Sequence, residues 1–173
     1  KVGEDGFSVE LLWGDIREAG KPKPVLMETW TIKVHSNTTF DLTSVQRCAT
    51  DSPLTVLQYH YGGMAIRGPW FDEEKAAAAK AWEKAKDGSE PPSLPREFLT
   101  SEGKNWHDGN HSRPNWVAMF GEDAGAAILA SPKNFRFPQP VRLHPSKPYF
   151  CFASMVDGDI EIKPGETYES RYR

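Results

Sequence analysis

The chain has 173 residues, a length that suits one domain with a sizeable buried core. Its 21 basic and 24 acidic side chains give a net charge of −3, which excludes a polycation built to coat nucleic acid. No run of 18 apolar residues is present, so the sequence predicts no membrane-spanning helix. We therefore expect neither a nucleic acid nor a membrane as partner.

Alternating apolar residues predict four strands in the first part of the chain. They cover residues 7–13, 25–35, 39–48 and 54–61. The turn residues Ser36 and Asn37 predict that the second and third of these strands pair as a hairpin. Gly62 and Gly63 end the fourth strand, at a break that is typical of a bulge or a close backbone approach.

One helix is predicted, over residues 72–86. Asp72 caps its N-terminus in this prediction, a run of alanines gives it high propensity, and Gly88 ends it. The polar residues 101–114 are predicted to form a loop. We therefore interpret residues 70–114 as a helix-containing insertion, and long insertions of this kind are usually functional or disordered.

Strands resume after this insertion. They are predicted over residues 116–120, 125–130, 141–144, 149–153, 159–163 and 167–173. A total of about ten short strands with frequent turns predicts an all-β fold. The expected architecture is an antiparallel β-sandwich with one inserted α-helix, formed by residues 1–173 as a single domain.

The two cysteines, Cys48 and Cys151, are too few for a disulfide scaffold or for a zinc site made only of cysteines. They either form one bridge or stay free. The compartment stays open, with a periplasmic or secreted location favoured over a cytoplasmic one.

None of the standard catalytic or cofactor motifs is present, because the sequence lacks GxSxG, GxGxxG, HExxH and P-loop patterns. His107 and His111 are four residues apart and would both face a metal on a helix. Gly109 and Asn110 lie between them and argue against a helix. The sequence therefore predicts no metal and no cofactor.

The segment 59–69 combines hydrogen-bonding groups with flat rings. It contains Tyr59, His60, Tyr61 and Arg67, and its glycines permit unusual backbone geometry. Aromatic rings stack on the C–H faces of a sugar, while arginine and histidine bind hydroxyl or carboxylate groups. An equally weighted alternative is a sandwich edge where glycine relieves crowding.

A second candidate is the pair Arg142 and His144. Because they lie two apart on a predicted strand, both side chains leave the face opposite Val141 and Leu143. His144 is suited to general acid–base work and Arg142 to binding an oxyanion or carboxylate, and the preceding Asn134 is a further candidate contact. The alternative is an ordinary exposed sheet face.

Trp106 lies in the predicted insertion, within the sequence Trp106-His107-Asp108-Gly109-Asn110-His111. A loop of this kind closes over a ligand in many proteins. The alternative is that Trp106 only pins the loop to the core.

Several motifs together resemble the C-terminal half of an uncharacterised bacterial family that is labelled PmoA-like or methane oxygenase PmoA. The resemblance covers about residues 55–173, with the insertion as a departure. The motifs are Tyr61-Gly62-Gly63, Arg67-Gly68, Trp116-Val117, Gly121, Gly125-Ala126-Ala127-Ile128-Leu129, Pro132-Lys133-Asn134-Phe135-Arg136-Phe137-Pro138, Val141-Arg142, Ile162-Lys163-Pro164-Gly165-Glu166-Thr167 and Arg171-Tyr172-Arg173.

This resemblance implies a soluble β-sandwich akin to the galactose-mutarotase-like supersandwich, or part of one, from sugar-degrading bacteria. It also implies that the chain is the C-terminal part of a longer protein whose N-terminal half is a partner in the same polypeptide. The methane oxygenase label itself does not fit, because the sequence has no apolar span and no dense copper-binding cluster.

Our first hypothesis is an enzyme that processes a carbohydrate by acid–base chemistry in a sandwich cleft, acting on a small-molecule or oligosaccharide ligand. Its predicted proton-transfer residues are His60, His111 and His144. Its predicted ligand contacts are Tyr61, Arg67, Trp106, Asn134 and Arg142. This hypothesis requires these groups to converge on one cleft.

The second hypothesis is a non-catalytic carbohydrate-binding module with an aromatic platform made of Tyr61, Trp70 and Trp106. A third is a structural or interaction protein, for which a flat exposed apolar patch would be the sign.

Overall fold

The computed structural model describes residues 1–17, 20–36, 38–68, 72–86, 88, 97–145 and 147–173. Antiparallel strands dominate this part of the chain, together with one α-helix. The elements are β1 (Gly6–Asp15), β2 (Lys23–Ser36), β3 (Thr39–Cys48), β4 (Leu54–Val56), β5 (Ala65–Arg67), α1 (Asp72–Lys86), β6 (Glu97–Thr100), β7 (Trp116–Phe120), β8 (Gly125–Leu129), β9 (Val141–Leu143), β10 (Tyr149–Phe152), a 3₁₀ turn (Ser154–Asp157), β11 (Ile160–Ile162) and β12 (Tyr168–Tyr172). The predicted all-β class with one inserted helix is confirmed.

The chain divides into two compact units. Unit 1 comprises residues 1–58, 130–137 and 157–173. Unit 2 comprises residues 59–129 and 138–156. The interpretation of residues 1–173 as a single sandwich domain, and the likeness to the galactose-mutarotase-like supersandwich, stay predictions.

Unit 1 is built on a four-stranded sheet in the order β1-β2-β3-β12, with a second sheet of β4 and β11. The predicted hairpin is confirmed, since β2 and β3 pair antiparallel from Leu26 opposite Cys48 to Ser36 opposite Thr39. The thiol of Cys48 donates a hydrogen bond to the carbonyl of Ile162 on β11, 2.9 Å away. This contact ties the two sheets of unit 1 together.

A buried carboxylate lies at the centre of the larger sheet of unit 1. Glu28 is only 5% exposed and accepts hydrogen bonds from Ser44 at 2.5 Å, from Gln46 at 2.9 Å and from the indole of Trp13 at 2.9 Å. Burial raises the pKa of this carboxyl, but its hydrogen bonds, including one from Trp30, outweigh burial and bring the pKa below its ordinary value. Because its acceptors are satisfied, Glu28 serves the structure of the sheet.

Unit 2 contains two three-stranded antiparallel sheets, in the orders β5-β10-β9 and β6-β7-β8, together with α1. Their facing sides share one core, in which the ring of Phe98 on β6 lies edge-on to Phe150 on β10 with centroids 6.1 Å apart. The apolar residues of unit 2 with no more than 3% exposure are Ala81, Phe98, Val117, Ile128, Val141, Leu143, Phe150, Cys151, Phe152 and Ala153. This packing of two sheets is sandwich-like.

Two local predictions differ from the structure. The strand predicted over residues 54–61 ends at Val56, because the chain leaves the sheet to reach the glycines at 62 and 63. The short strand β6 was not predicted, since prolines and polar residues flank its four positions on the N-terminal side. It lies within the stretch interpreted as an insertion and pairs with β7. The helix has the predicted bounds, Asp72–Lys86.

Candidate functional site

The candidate site lies on the outer side of the sheet β5-β10-β9 in unit 2. On β9, Val141 and Leu143 are fully buried while Arg142 between them is half-buried and points outward. Register aligns Arg67 of β5 with Tyr149 of β10, and Arg142 of β9 with Cys151 of β10. The period of two along each strand therefore brings arginine and tyrosine side chains to one side of the sheet.

The ring of Tyr61 lies at the centre of these groups. It is stacked on the imidazole of His144 with centroids 6.5 Å apart and planes 24° apart. It meets Tyr149 edge-on at 5.8 Å, and the guanidinium carbon of Arg142 lies 5.6 Å from its centroid. Arg67 lies 5.5 Å from the ring of Tyr149. We call these five residues, Tyr61, Arg67, Arg142, His144 and Tyr149, the arginine–tyrosine face.

Glycines 62 and 63 allow the chain to place Tyr61 over the sheet. Both have positive φ angles, +115° and +68° respectively. A Cβ atom on Gly63 would lie 2.1 Å from the carbonyl oxygen of Phe152, and nothing but glycine fits so close to a backbone. Next along the chain, Met64 accepts a hydrogen bond from the amide of Phe152 at 2.9 Å. The close backbone approach expected at this break is confirmed, while the prediction that the segment binds a sugar stays a prediction.

Arg142 is held by the side chain of Asn110. Its Nη1 donates to Asn110 Oδ1 at 3.0 Å and to the carbonyl of Leu143 at 3.3 Å. The same Asn110 oxygen accepts from the amide of Leu143 at 3.2 Å. Nε of Arg142 is buried and has no hydrogen-bond partner within the described part of the chain. The guanidinium is therefore fixed along one edge and unsatisfied along the other.

The loop that carries Asn110 is fastened to β9 by its backbone. The amide of His111 donates to the carbonyl of Val141 at 2.7 Å, and the amide of Val141 donates to the carbonyl of Ser112 at 3.0 Å. His111 has a φ of +63°, a conformation that non-glycine residues rarely adopt. Burial lowers the pKa of its imidazole, and the neighbouring Arg142 and His60 lower it further.

The imidazole of His144 is half-buried beside three cationic groups. Burial lowers its pKa to about 4, with further contributions from Lys147, Arg142 and Arg67. At neutral pH the ring is therefore uncharged, which is the protonation state that a general base requires. Such a group can act as a general base at neutral pH, but it is not protonated and so cannot act as a general acid.

The thiol beneath this face is not suited to nucleophilic chemistry. Cys151 is fully buried, and burial raises the pKa of its thiol. Burial also raises the pKa of the Tyr149 hydroxyl. Both cysteines are free, Cys48 in unit 1 and Cys151 in unit 2, so the open question about their pairing is answered.

Six of the eight predicted site residues lie in or beside the arginine–tyrosine face. Four belong to it directly, namely Tyr61, Arg67, Arg142 and His144. His60 is exposed and its ring lies 4.3 Å from that of Tyr61, while His111 is close enough for its pKa to respond to Arg142 and His60.

The other two predicted site residues have different surroundings. Asn134 belongs to unit 1 and is 5% exposed, and its side-chain amide donates to the carbonyl of Arg171 at 2.9 Å and accepts from the Arg171 amide at 2.8 Å. Trp106 is half-buried with its ring edge-on to His107 at 5.7 Å. Trp70, named for the aromatic platform, lies outside the described residues.

Two residues of the site escaped the sequence analysis. Tyr149 precedes the buried Phe150 on β10, so the two side chains leave opposite sides of the strand. This alternation was not recognised, because the whole strand is apolar. Asn110 gave no signal, because its contact with Arg142 spans 32 positions of sequence.

Among the described residues, no group of three or more histidine, cysteine, aspartate or glutamate side chains is placed to hold a metal ion. Within the same residues, no helix is long and apolar enough to cross a membrane.

The fold and the site together define a β-rich protein with a cationic, aromatic face on one of its sheets. The chain belongs to the family of unknown function DUF6807, whose profile matches residues 1–173. No curated protein and no solved structure matches the chain.

Replacing Asn110 with alanine is expected to lower the free energy of unfolding by about 1–2 kcal/mol. The reason is that Arg142 Nη1 and the amide of Leu143 lose their shared acceptor in a half-buried position. Urea unfolding measures this loss. The matched control is Asn115→Ala, at an exposed position, for which a change within about 0.5 kcal/mol is expected. Equal losses in the two variants would contradict the role given to Asn110.

Proposed function

We propose that unit 2 binds a carbohydrate on the arginine–tyrosine face and acts on it by proton transfer through His144. The proposal includes the likeness to the PmoA-like bacterial family, which the sequence motifs suggest. The observation that carries it is the imidazole of His144 stacked on Tyr61, with the guanidinium group of Arg142 5.6 Å from the centroid of the same ring.

Tyr61 and the two rings that precede it in the chain suit the apolar side of a sugar. Tyr59, His60 and Tyr61 follow one another with centroids 4.3 to 5.7 Å apart, and Tyr59 is 57% exposed. Sugars bind proteins by stacking C–H groups on such rings while polar side chains hold the hydroxyls. Arg67 and Arg142 supply donors, and His144 supplies an acceptor.

His144 has the role of general base in this proposal. A neutral imidazole beside arginines accepts a proton from a sugar hydroxyl or from an acidic carbon, and the guanidinium groups stabilise the negative charge that develops. His60 lies next to this position and is the candidate for returning the proton. His111, whose pKa is lowered, is a second candidate base. Trp106 and Asn134 have no assigned role here.

The alternative is a non-catalytic carbohydrate-binding module. The neighbouring rings at residues 59–61 favour it, of which Tyr59 and His60 are exposed and Tyr61 is half-buried, since a binding platform requires rings that lie side by side. The two functions share the same face and differ only in whether His144 transfers a proton.

A panel of neutral and acidic mono- and oligosaccharides tests the proposal, with binding followed by ligand-observed NMR and turnover by product analysis. Tyr61→Ala is expected to weaken binding at least about tenfold through loss of the stacked ring. The control Phe120→Ala removes an exposed ring on β7 and should bind normally.

His144→Gln separates the two functions. If His144 is the base, this variant keeps ligand binding but loses turnover by about 10²- to 10⁴-fold. Binding without turnover in the wild-type chain would leave the binding module as the function. A chain that binds no member of the panel would overturn the proposal as a whole.

A further inference from the structure

We propose that the ligand of the arginine–tyrosine face is a sugar acid whose carboxylate pairs with Arg142. This inference rests on the proposed function, and it adds the charge and the orientation of the ligand. It comes from the arrangement of charged groups around Tyr61.

The face carries positive charge that no carboxylate among the described residues pairs with. Arg67 and Arg142 make no ion pair with any residue that the structure describes. The outward positions of the three strands are Ala65 and Arg67 on β5, Tyr149 and Cys151 on β10, and Arg142 and, just beyond β9, His144. None of these is acidic, although the chain as a whole carries a net charge of −3. A local excess of positive charge on an acidic protein favours an anionic ligand.

The groups that shift the pKa values of the two nearby imidazoles show the same excess of positive charge. Lys147, Arg142 and Arg67 act on His144, while Arg142 and His60 act on His111. No carboxylate contributes in either case. Because both imidazoles resist protonation, the fixed positive charge of the face at neutral pH is that of Arg67 and Arg142.

The orientation of Arg142 selects the edge that a carboxylate would use. Nη1 is occupied by Asn110 and by the carbonyl of Leu143, whereas Nε is buried without a partner and Nη2 makes no hydrogen bond to the described residues. The Nε–Nη2 edge of a guanidinium matches the two oxygens of a carboxylate. Since Nε is shielded, an anion meets Nη2 first, and full bidentate pairing requires the covering side chains to shift.

The position of Tyr61 indicates that the anionic group belongs to a sugar. The guanidinium carbon of Arg142 lies 5.6 Å from the centroid of this ring, a separation that one monosaccharide unit can bridge. A pyranose stacked on Tyr61 thus carries its carboxylate toward Arg142. His144 on the same ring then lies near the carbon that a carboxylate makes acidic, which is where a neutral base is useful.

The decisive comparison is between an acid and its own neutral ester. Isothermal titration of the full chain with galacturonate and with methyl galacturonate is expected to show at least about tenfold tighter binding of the acid. Glucuronate should likewise bind more tightly than glucose. Raising the salt concentration should weaken binding of the acid and leave the ester unchanged.

Variants of Arg142 test whether this residue causes the tighter binding of the acid. Arg142→Gln should reduce the ratio of the affinity for the acid to the affinity for the ester to near one. Arg142→Lys should keep this ratio above one, because a point charge remains. The control Arg47→Gln, at an exposed position of unit 1, should keep the ratio. Should Arg142→Gln fail to fold, as judged by circular dichroism, Arg67→Gln provides a second test and should lower the ratio severalfold.

The outcomes separate this inference from the proposed function. If acid and ester bind equally well, the sugar-acid assignment is wrong while a carbohydrate site remains. If glucose 6-phosphate binds more tightly than glucuronate, the anion is a phosphate and the carboxylate assignment is likewise wrong. If none of these sugars binds, both proposals fail together.

Discussion

Replacing Gly63 with alanine is expected to lower the free energy of unfolding by about 3 kcal/mol or more. Two costs combine at this position. A positive φ of +68° is unfavourable for alanine by about 1–2 kcal/mol. In addition, the new Cβ would lie 2.1 Å from the carbonyl oxygen of Phe152, so the backbone on one side must move. Urea unfolding of the full chain measures the sum.

Gly103→Ala is the matched control for this prediction. Gly103 has a φ of +75°, close to that of Gly63, but a Cβ atom there meets nothing within 4 Å. Its replacement should therefore cost only the conformational term of about 1–2 kcal/mol. The difference between the two variants isolates the close approach of Gly63 to β10. Similar losses at the two positions would show that this approach contributes nothing.

The second large effect concerns pH. The free energy of unfolding is expected to fall by about 2–3 kcal/mol as the pH drops from 6.5 to 4, through His144. In the unfolded chain this imidazole takes up a proton near its ordinary pKa of 6.5, while in the folded chain it does so only near pKa 4. The unfolded state therefore binds more protons throughout this window, and acid favours unfolding.

His144→Gln should remove most of that dependence. Urea unfolding at several pH values between 7 and 4 measures it, and the exposed His107→Gln serves as the control that leaves it intact. The carboxyls of Asp15 and Asp41, whose pKa values are lowered from 3.8 to about 2, lose their stabilisation from about pH 5 downward. This loss is common to the wild type and to both variants, so the difference between them still reports His144. A His144→Gln variant as sensitive as the wild type across this window would disprove the assignment.

Local sequence signals predicted most of the elements. The alternation at Glu28, Trp30 and Ile32 and the turn after it were sufficient for the β2–β3 hairpin, because neighbouring strands joined by a short turn pair by default. The alanine run and Asp72 were sufficient for the helix. These features depend on residues close together in the chain.

The sequence predicted only part of the site, because the remaining contacts join residues that are far apart in the chain. Spacing alone shows that Arg142 and His144 share a side of β9, opposite the buried Val141 and Leu143. It does not show that Arg67 aligns with Tyr149, since that depends on the register of β5 against β10. Nor does composition distinguish Asn110, which positions Arg142, from Asn134, which binds the backbone of Arg171.

The pairing of β5 with β10 has a consequence for how the arginine–tyrosine face comes into being. Arg67 and Tyr149 are joined only after nearly the whole sequence of unit 2 has been brought back on itself. Closing such long loops costs chain entropy before any contact forms, which makes pairings of this type slow. The face is therefore the product of the completely folded unit, and no contiguous peptide cut from the segments around Tyr61 or Arg142 can reproduce it.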